Sequence, residues 1–137
     1  MLISNIGVNI IMKNVWNEKQ ETIETTKLRE FQSEKLKELV SLLYTKVPFY
    51  KKRMDELSVN PSDIKNIDDI SKLPFTTKDD LRETYPYGLV ASDMKDIVEI
   101  HASSGTTGIP IINTYTRNDL DIWSECMART LAAGGVT

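Results

Sequence analysis

Glycine is unevenly distributed in this chain, and its placement constrains the fold more than any other sequence feature. No glycine occurs between Gly7 and Gly88, and two then fall within the short segment Ser103–Gly108, which reads Ser-Ser-Gly-Thr-Thr-Gly. Glycine adopts positive φ angles at little steric cost and lets other groups approach the backbone closely. The segment therefore predicts a tight loop of defined shape rather than part of a helix or strand.

Strand-like segments flank this loop on both sides. Residues Ile97–Ala102 alternate in polarity, which places Val98, Ile100 and Ala102 on one face. After the loop, Ile111–Thr116 is rich in β-branched and aromatic residues, as strands are. The pattern predicts a strand, a hydroxyl-rich loop and a second strand.

A helix is predicted directly after the second strand. It begins at Thr116, with Asp119 placed to contact its first turn, and Gly134-Gly135 end it. One face of this helix carries apolar residues at helical spacing, namely Leu120, Trp123, Met127 and Leu131.

The region before the loop reads as a series of helices separated by prolines. An amphipathic helix is predicted from Thr25 to Val47, where Pro48 ends it. Shorter helices are predicted to start at Pro61 and at Thr77, whose hydroxyl can cap the first turn. We interpret the nearby acidic pairs as capping groups rather than metal ligands. The apolar stripe of the long helix consists of Leu28, Phe31, Leu36, Leu39, Val40, Leu43 and Val47.

Composition places the chain among ordinary globular domains. It has 137 residues, 40% hydrophobic and 27% charged, and its net charge of -3 disfavours nucleic acid or an anionic membrane as a partner. The single cysteine, Cys126, excludes an internal disulfide, so we expect a reducing, cytoplasmic location. Met1–Ile11 is uncharged but too short to span a membrane, and it lacks the basic start of a signal peptide. We interpret residues 1–11 as an extension outside the fold.

The loop has the chemistry of an anion site. Its two glycines allow consecutive backbone N–H groups to converge on an anion, and the hydroxyls of Ser103, Ser104, Thr106 and Thr107 add donors that rotate. A pyrophosphate group needs such converging donors. The spacing of a Walker A loop is absent, and a strand rather than a helix follows. By composition alone the segment is equally compatible with a plain turn between two strands.

In the context of its neighbours, the segment His101–Pro110 resembles the glycine-, serine- and threonine-rich loop of adenylate-forming enzymes. The surrounding motifs narrow the resemblance to the phenylacetate-CoA ligases, in matching order and spacing from about Met12 onward. These motifs are Trp16-Asn17, Pro48-Phe49-Tyr50-Lys51, Leu73 to Arg82, Tyr85-Pro86-Tyr87-Gly88 and Ala128-Arg129.

The resemblance implies an α/β fold and a two-step reaction. ATP and an aryl acid form an acyl-adenylate and pyrophosphate, and the acyl group then passes to coenzyme A. It places the ATP phosphates at Ser103, Ser104, Gly105, Thr106, Thr107 and Gly108, with the hydroxyls of Thr106 and Thr107 near the phosphates or their Mg²⁺. The chain departs from the family at one point, because Ile109 and Ile111 flank Pro110 where these loops usually carry a lysine.

The resemblance also implies that this is the first part of a larger enzyme. Residues 12–137 would form the leading helices, the loop-bearing hairpin and one helix of the large AMP-binding domain. The family's catalytic lysine, adenine-binding motif and C-terminal domain lie downstream, so no catalytic residue is expected within the chain. We expect the isolated chain to be inactive and prone to associate, and the complete enzyme to be able to form a homodimer. Two alternatives remain open: a related ligase for another acid or cofactor, and a non-catalytic helical interaction module.

Three further kinds of residue could carry chemistry. The only histidine, His101, lacks the partners of a metal site or a nucleophilic triad, so we assign it a structural or supporting role. We expect Cys126 to be a packed apolar residue rather than a nucleophile. Tyr85, Tyr87 and Tyr115 could line an aromatic-acid pocket, and packing explains them equally well.

Overall fold

The computed structural model describes residues 15–103, 108 and 110–136. Among them it forms five α-helices and one antiparallel pair of strands, as the mixed α/β prediction requires. Short 3₁₀ turns at Pro61–Asp63, Ile67–Lys72 and Met94–Asp96 connect them. In chain order the elements are α1 Glu18–Glu21, α2 Thr25–Lys46, α3 Pro48–Glu56, α4 Lys78–Glu83, β1 Ile97–Ala102, β2 Ile112–Thr116 and α5 Arg117–Ala133.

The chain divides into two compact units. The central unit is continuous, from Thr25 to Thr116, and contains α2 to α4 and both strands. The terminal unit combines the segment up to Glu24 with the segment from Arg117 onward. None of the helices in the described part of the chain has both the length and the apolar content required to cross a bilayer.

Helix α2 supplies half of the central core. Its buried residues Leu36 and Val40 pack with Met54 of α3 and with Ile64, which follows the first 3₁₀ turn. Val47, between α2 and α3, is also buried. The apolar stripe predicted for α2 is therefore confirmed at Leu36, Val40 and Val47. The prediction included too many residues, because the side chains of other members are 37–51% exposed. These exposed members are Leu28, Phe31 and Leu39.

The predicted cap of α4 is confirmed and is more extensive than the sequence indicated. The Thr77 hydroxyl accepts from the backbone N–H of Asp80, and the Asp80 carboxylate accepts from the backbone N–H and hydroxyl of Thr77. Arg53 donates to the same carboxylate over 2.5 Å and lies over the Phe49 ring. The hydrogen bonds from Thr77, with the charge of Arg53, lower the pKa of buried Asp80. The cap thus ties α4 to α3.

A second capping box organises the turn at Ile67–Lys72. The Asp69 carboxylate accepts from the ammonium of Lys72 and from the backbone N–H groups of Lys65 and Asn66, which lowers its pKa to about 2. Asp69 and Asp80 therefore belong to capping boxes, as predicted for the acidic pairs, whereas their neighbours Asp68 and Asp79 pair with Arg29 and Arg82. The described residues contain no cluster of three potential metal-ligating side chains.

We predict that acid destabilises the central unit through these carboxylates. Because the folded-state pKa of Asp69 is below the ordinary value of 3.8, its stabilisation is present above that value and is lost as the pH falls toward about 2. Asp80 acts in the same direction. Urea midpoints measured from pH 5.5 down to about 2 should fall most steeply in the interval between these pKa values. Asp69→Asn should flatten that fall, and an unchanged slope would contradict the assignment.

In the terminal unit, one carboxylate joins two distant stretches of sequence. Glu125 of α5 accepts from the Trp16 indole N–H over 3.0 Å, from the Asn17 amide over 2.7 Å and from the Arg129 guanidinium over 3.0 Å. These hydrogen bonds, that from Asn17 contributing most, lower the pKa of Glu125. The two motifs Trp16-Asn17 and Ala128-Arg129, singled out from the sequence, therefore meet at Glu125.

Helix α5 ends where the sequence predicted and begins one residue later. The backbone N–H of Val136 donates to the carbonyl of Leu131, and that of Gly135 to Ala132, with Gly135 at φ 87°. This is the pattern of a Schellman motif. At the other end, Thr116 belongs to β2 and α5 starts at Arg117.

The expected packing of Cys126 is wrong, because its side chain is exposed. The neighbouring residues that are partly buried are Glu125, Ala128 and Arg129, and Cys126 lies outside this face of α5. The predicted apolar face remains 44–49% exposed at Trp123, Met127 and Leu131. The interpretation of residues 1–11 falls outside the described residues.

Candidate functional site

Strands β1 and β2 form an antiparallel hairpin that carries the predicted loop at its tip. Ala102 lies opposite Ile112, and Ile100 opposite Thr114. The register shifts between Ile97 and Glu99, so Val98 lies in a bulge without a cross-strand partner. The predicted alternation thus holds for Ile100 and Ala102 and is interrupted at Val98.

Ser103 and Ile111 close the base of the loop. The backbone N–H of Ser103 donates to the Ile111 carbonyl over 3.0 Å, and the Ile111 N–H donates to the Ser103 hydroxyl oxygen over 3.1 Å. Because a hydroxyl can accept and donate at once, the Ser103 O–H can still donate to an anion. Ser103 therefore has a structural task that the sequence did not reveal.

Gly108 has the conformation predicted for a loop glycine. Its φ is 115°, a value that residues with a Cβ rarely adopt, and an added Cβ would meet no atom of the described residues within 4 Å. The backbone conformation therefore favours glycine here. The other predicted phosphate-binding residues, Ser104, Gly105, Thr106 and Thr107, lie outside the described residues, as does the proposed contact of Thr107 with Mg²⁺.

A polar cluster occupies one face of the hairpin next to the loop. The Nε2 atom of His101 contacts the Glu99 carboxylate, and the His101 ring meets the Tyr115 ring edge to face, with centroids 5.0 Å apart. The His101 and Glu99 side chains are 41% and 44% exposed. The sequence predicts a supporting role for His101 but does not single out Glu99. The spacing could have identified Glu99, because it lies two residues before His101 on the same strand and both side chains therefore share one face.

The remaining tyrosines do not join this cluster. Tyr85 and Tyr87 follow α4 and are 47% and 41% exposed. Two surface grooves of the central unit, of about 460 and 360 Å³, also have no hairpin residue in their walls. The larger is lined by the start of α2 and residues 65–68, and the smaller by the end of α3 and residues 73–77. The hairpin tip is therefore the candidate site because of its loop rather than a cavity.

Comparison with solved structures identifies the class of protein. The chain superposes on 2-hydroxyisobutyryl-CoA ligase in complex with 2-HIB-AMP and CoA, with a TM-score of 0.78 and 26% identity. The match covers 87% of this chain and 26% of that ligase. The same ligase in an open conformation gives a TM-score of 0.77 over 89% of the chain, at 24% identity. The described fold is thus that of a stretch of an acyl-CoA ligase.

Comparison of sequences finds relatives that share one name. The phenylacetate-coenzyme A ligase of Thermus thermophilus is 47% identical over 115 residues, which is 84% of this chain and 26% of that enzyme. The Escherichia coli enzyme of the same name is 42% identical over 124 residues, or 88% of the chain and 28% of the enzyme. No protein-family model matches. The chain is a relative of the phenylacetate-coenzyme A ligases and spans about a quarter of their length.

Proposed function

We propose that this chain is the ATP-phosphate-binding part of an aryl-acid CoA ligase. The reaction converts ATP, phenylacetate and coenzyme A into phenylacetyl-CoA, AMP and pyrophosphate through an acyl-adenylate. The observation that carries the proposal is the 42–47% identity to phenylacetate-coenzyme A ligases over 84–88% of the chain. The lower identity of 26% to 2-hydroxyisobutyryl-CoA ligase favours an aryl acid over a hydroxy acid as the substrate.

The hairpin suits this task because adenylation mainly requires anionic groups to be bound and oriented. The carboxylate must attack the α-phosphorus of ATP, so the protein has to position both and stabilise their charge. The paired strands hold both ends of the loop, where Ser103 supplies a hydroxyl and Gly108 adopts a positive φ. We assign phosphate binding to Ser103, Ser104, Gly105, Thr106, Thr107 and Gly108.

The other reactants follow from the same proposal. Mg²⁺ would screen the phosphate charge, and the hydroxyls of Thr106 and Thr107 are suitable oxygen donors toward it. Coenzyme A would accept the acyl group in the second step. We assign the catalytic groups and the C-terminal domain to regions that correspond to the unmatched part of the relatives. We place the reaction in the cytoplasm. Pairing into a homodimer is part of the proposal for the complete enzyme.

A chimeric ligase tests the proposed function directly. Residues 12–137 replace the matched quarter of the Thermus thermophilus enzyme, and pyrophosphate release is followed with ATP, Mg²⁺ and phenylacetate. We expect phenylacetate-dependent release by the chimera and none by the 137-residue chain alone. A folded chimera without any release would contradict the proposal.

Two variants of the chimera locate the phosphate site. Gly105→Val should abolish pyrophosphate release, because a branched side chain would obstruct close approach of phosphate to the loop backbone. Thr106→Val should reduce release about tenfold by removing one hydroxyl. Thr45→Val is the matched control, since Thr45 is exposed on α2 and donates only to the carbonyl of Ser41. Equal rates for both threonine variants would favour the alternative in which the loop is only a turn.

A further inference from the structure

Helix α2 carries a second row of apolar side chains besides those of the central core. The side chains of this row are 37–51% exposed, although leucine and phenylalanine are usually buried. We call it the outer row, and it consists of Leu28, Phe31, Leu39 and Leu42, with Lys35 in its middle. Successive members are three or four residues apart when Lys35 is included, so all of them lie on one face of the helix.

The elements that pack on α2 contact a different face of it. Leu36 and Val40 pack with Met54 of α3, and the Ser33 hydroxyl accepts from the backbone N–H of Ile67. Leu36 directly follows Lys35 in the chain, and one residue turns a helix by about 100°. In the described part of the central unit, the outer row is therefore a side of α2 that remains open.

The charges in the middle of the outer row are self-complementary. The Lys35 ammonium pairs with the Glu38 carboxylate over 2.7 Å, and the two side chains are 58% and 65% exposed. One antiparallel register of two α2 helices places Lys35 of each copy opposite Glu38 of the other. Phe31 and Leu42 lie four residues outside these positions on either side, so the same register pairs them as well.

This agreement favours a second copy of the chain in the antiparallel orientation. In a two-fold arrangement each contact occurs twice, so one favourable register gives two apolar contacts and two ion pairs. A parallel pair in register would instead place Lys35 beside Lys35 and Glu38 beside Glu38, and these like charges repel.

We propose that the outer row of α2 binds a second copy of this chain, antiparallel, with Phe31 against Leu42 and Lys35 paired with the second copy's Glu38. The row spans about 21 Å from Leu28 to Leu42, so the contact is short and the association weak. The proposal rests on the homodimer that is part of the proposed function and gives it a surface. It involves no residue of the phosphate loop, so pairing and phosphate binding can fail separately.

Charge reversal tests the register on the complete 137-residue chain. Sedimentation equilibrium at low salt, from about 1 μM to about 1 mM, gives the dissociation constant of the pair. Lys35→Glu and Glu38→Lys each turn two attractive contacts into two repulsive ones, so each should raise this constant about tenfold or more. An equimolar mixture of the two variants should pair as tightly as wild type, because every reversed charge then meets its opposite.

Two matched controls separate the outer row from the rest of the surface. Lys52→Glu reverses one charge of a similar exposed ion pair, with Glu56 on α3, and should leave the dissociation constant within about twofold of wild type. Phe31→Ala should raise the constant about tenfold by removing an apolar anchor. Phe75→Ala, at a phenylalanine that lies outside α2 and is 91% exposed, should leave it unchanged.

Several outcomes would overturn the proposal. A wild-type chain that stays monomeric up to about 1 mM does so, as do equal effects of Lys35→Glu and Lys52→Glu. Loss of pairing in the single variants without recovery in the mixture also overturns it, whereas recovery shows in addition that both variants are folded. Association that depends on Phe75 rather than Phe31 identifies another surface and overturns the assignment.

The remaining possible occupant of the outer row is another part of the ligase itself. Phe31→Ala in the chimera distinguishes this case. A lower melting temperature with an unchanged oligomeric state would assign the row to a contact within the ligase and overturn the proposal. Pyrophosphate release by the unmodified chimera reports on the proposed function independently of all these results.

Discussion

Gly108→Ala should weaken the binding of Mg-ATP to this chain by about tenfold or more, because it strains the loop where the proposed site lies. Gly108 has a φ of 115°, and alanine can occupy that region only at a cost of about 1–3 kcal/mol. Since no atom of the described part of the chain lies within 4 Å of the added methyl group, we expect the effect to come from the backbone rather than from a clash. Calorimetric titration of the wild-type and variant chains measures it.

Gly135→Ala is the matched control for this prediction. Gly135 also has a positive φ, 87°, and an open environment, but it lies in the Schellman motif at the end of α5. The same methyl group should therefore lower stability there without changing affinity for the nucleotide. If both variants lost affinity equally, the loss would reflect general destabilisation and the assignment of Gly108 to the site would be wrong.

Ile64→Ala should destabilise the central unit by about 2–5 kcal/mol, the range for deleting most of a fully buried aliphatic side chain. Ile64 is 2% exposed and packs with Leu36, Val40 and Met54, so the substitution leaves a cavity between α2 and α3. Urea unfolding followed by circular dichroism should show a large decrease in the midpoint. A variant too unstable to give a folded baseline would also agree with the prediction.

Ile70→Ala provides the control for the core prediction. Ile70 has the same side chain but is 55% exposed, so its truncation removes much less contact. We expect its free energy of unfolding to stay within about 1 kcal/mol of the wild-type value. Similar losses at both isoleucines would mean that the core is not centred on Ile64.

Local sequence signals predicted most of the elements that position the site. The long helix from Thr25, the cap at Thr77, the hairpin and the glycine stop after α5 all depend on neighbours within a few residues. Such interactions can be read from spacing and residue type. The prediction for Gly108 succeeded for the same reason, since its positive φ is a property of the loop backbone.

Features that depend on distant or subtle geometry were not predictable. The bulge at Val98 arises from a register shift between the strands, which alternation of residue types does not encode. The Glu125 contacts join residues more than a hundred positions apart. The wrong expectation for Cys126 has a similar origin, because which face of α5 is covered depends on contacts made by the distant segment at Trp16.

The construction of the terminal unit also has a consequence for synthesis on the ribosome. Chain growth proceeds from the N-terminus, so Trp16 and Asn17 emerge long before Glu125, their hydrogen-bond acceptor, exists. The continuous central unit can acquire its core in the meantime, since all the residues of that core precede Glu125. The segment at Trp16 and Asn17 can therefore form these hydrogen bonds only after α5 has been synthesised.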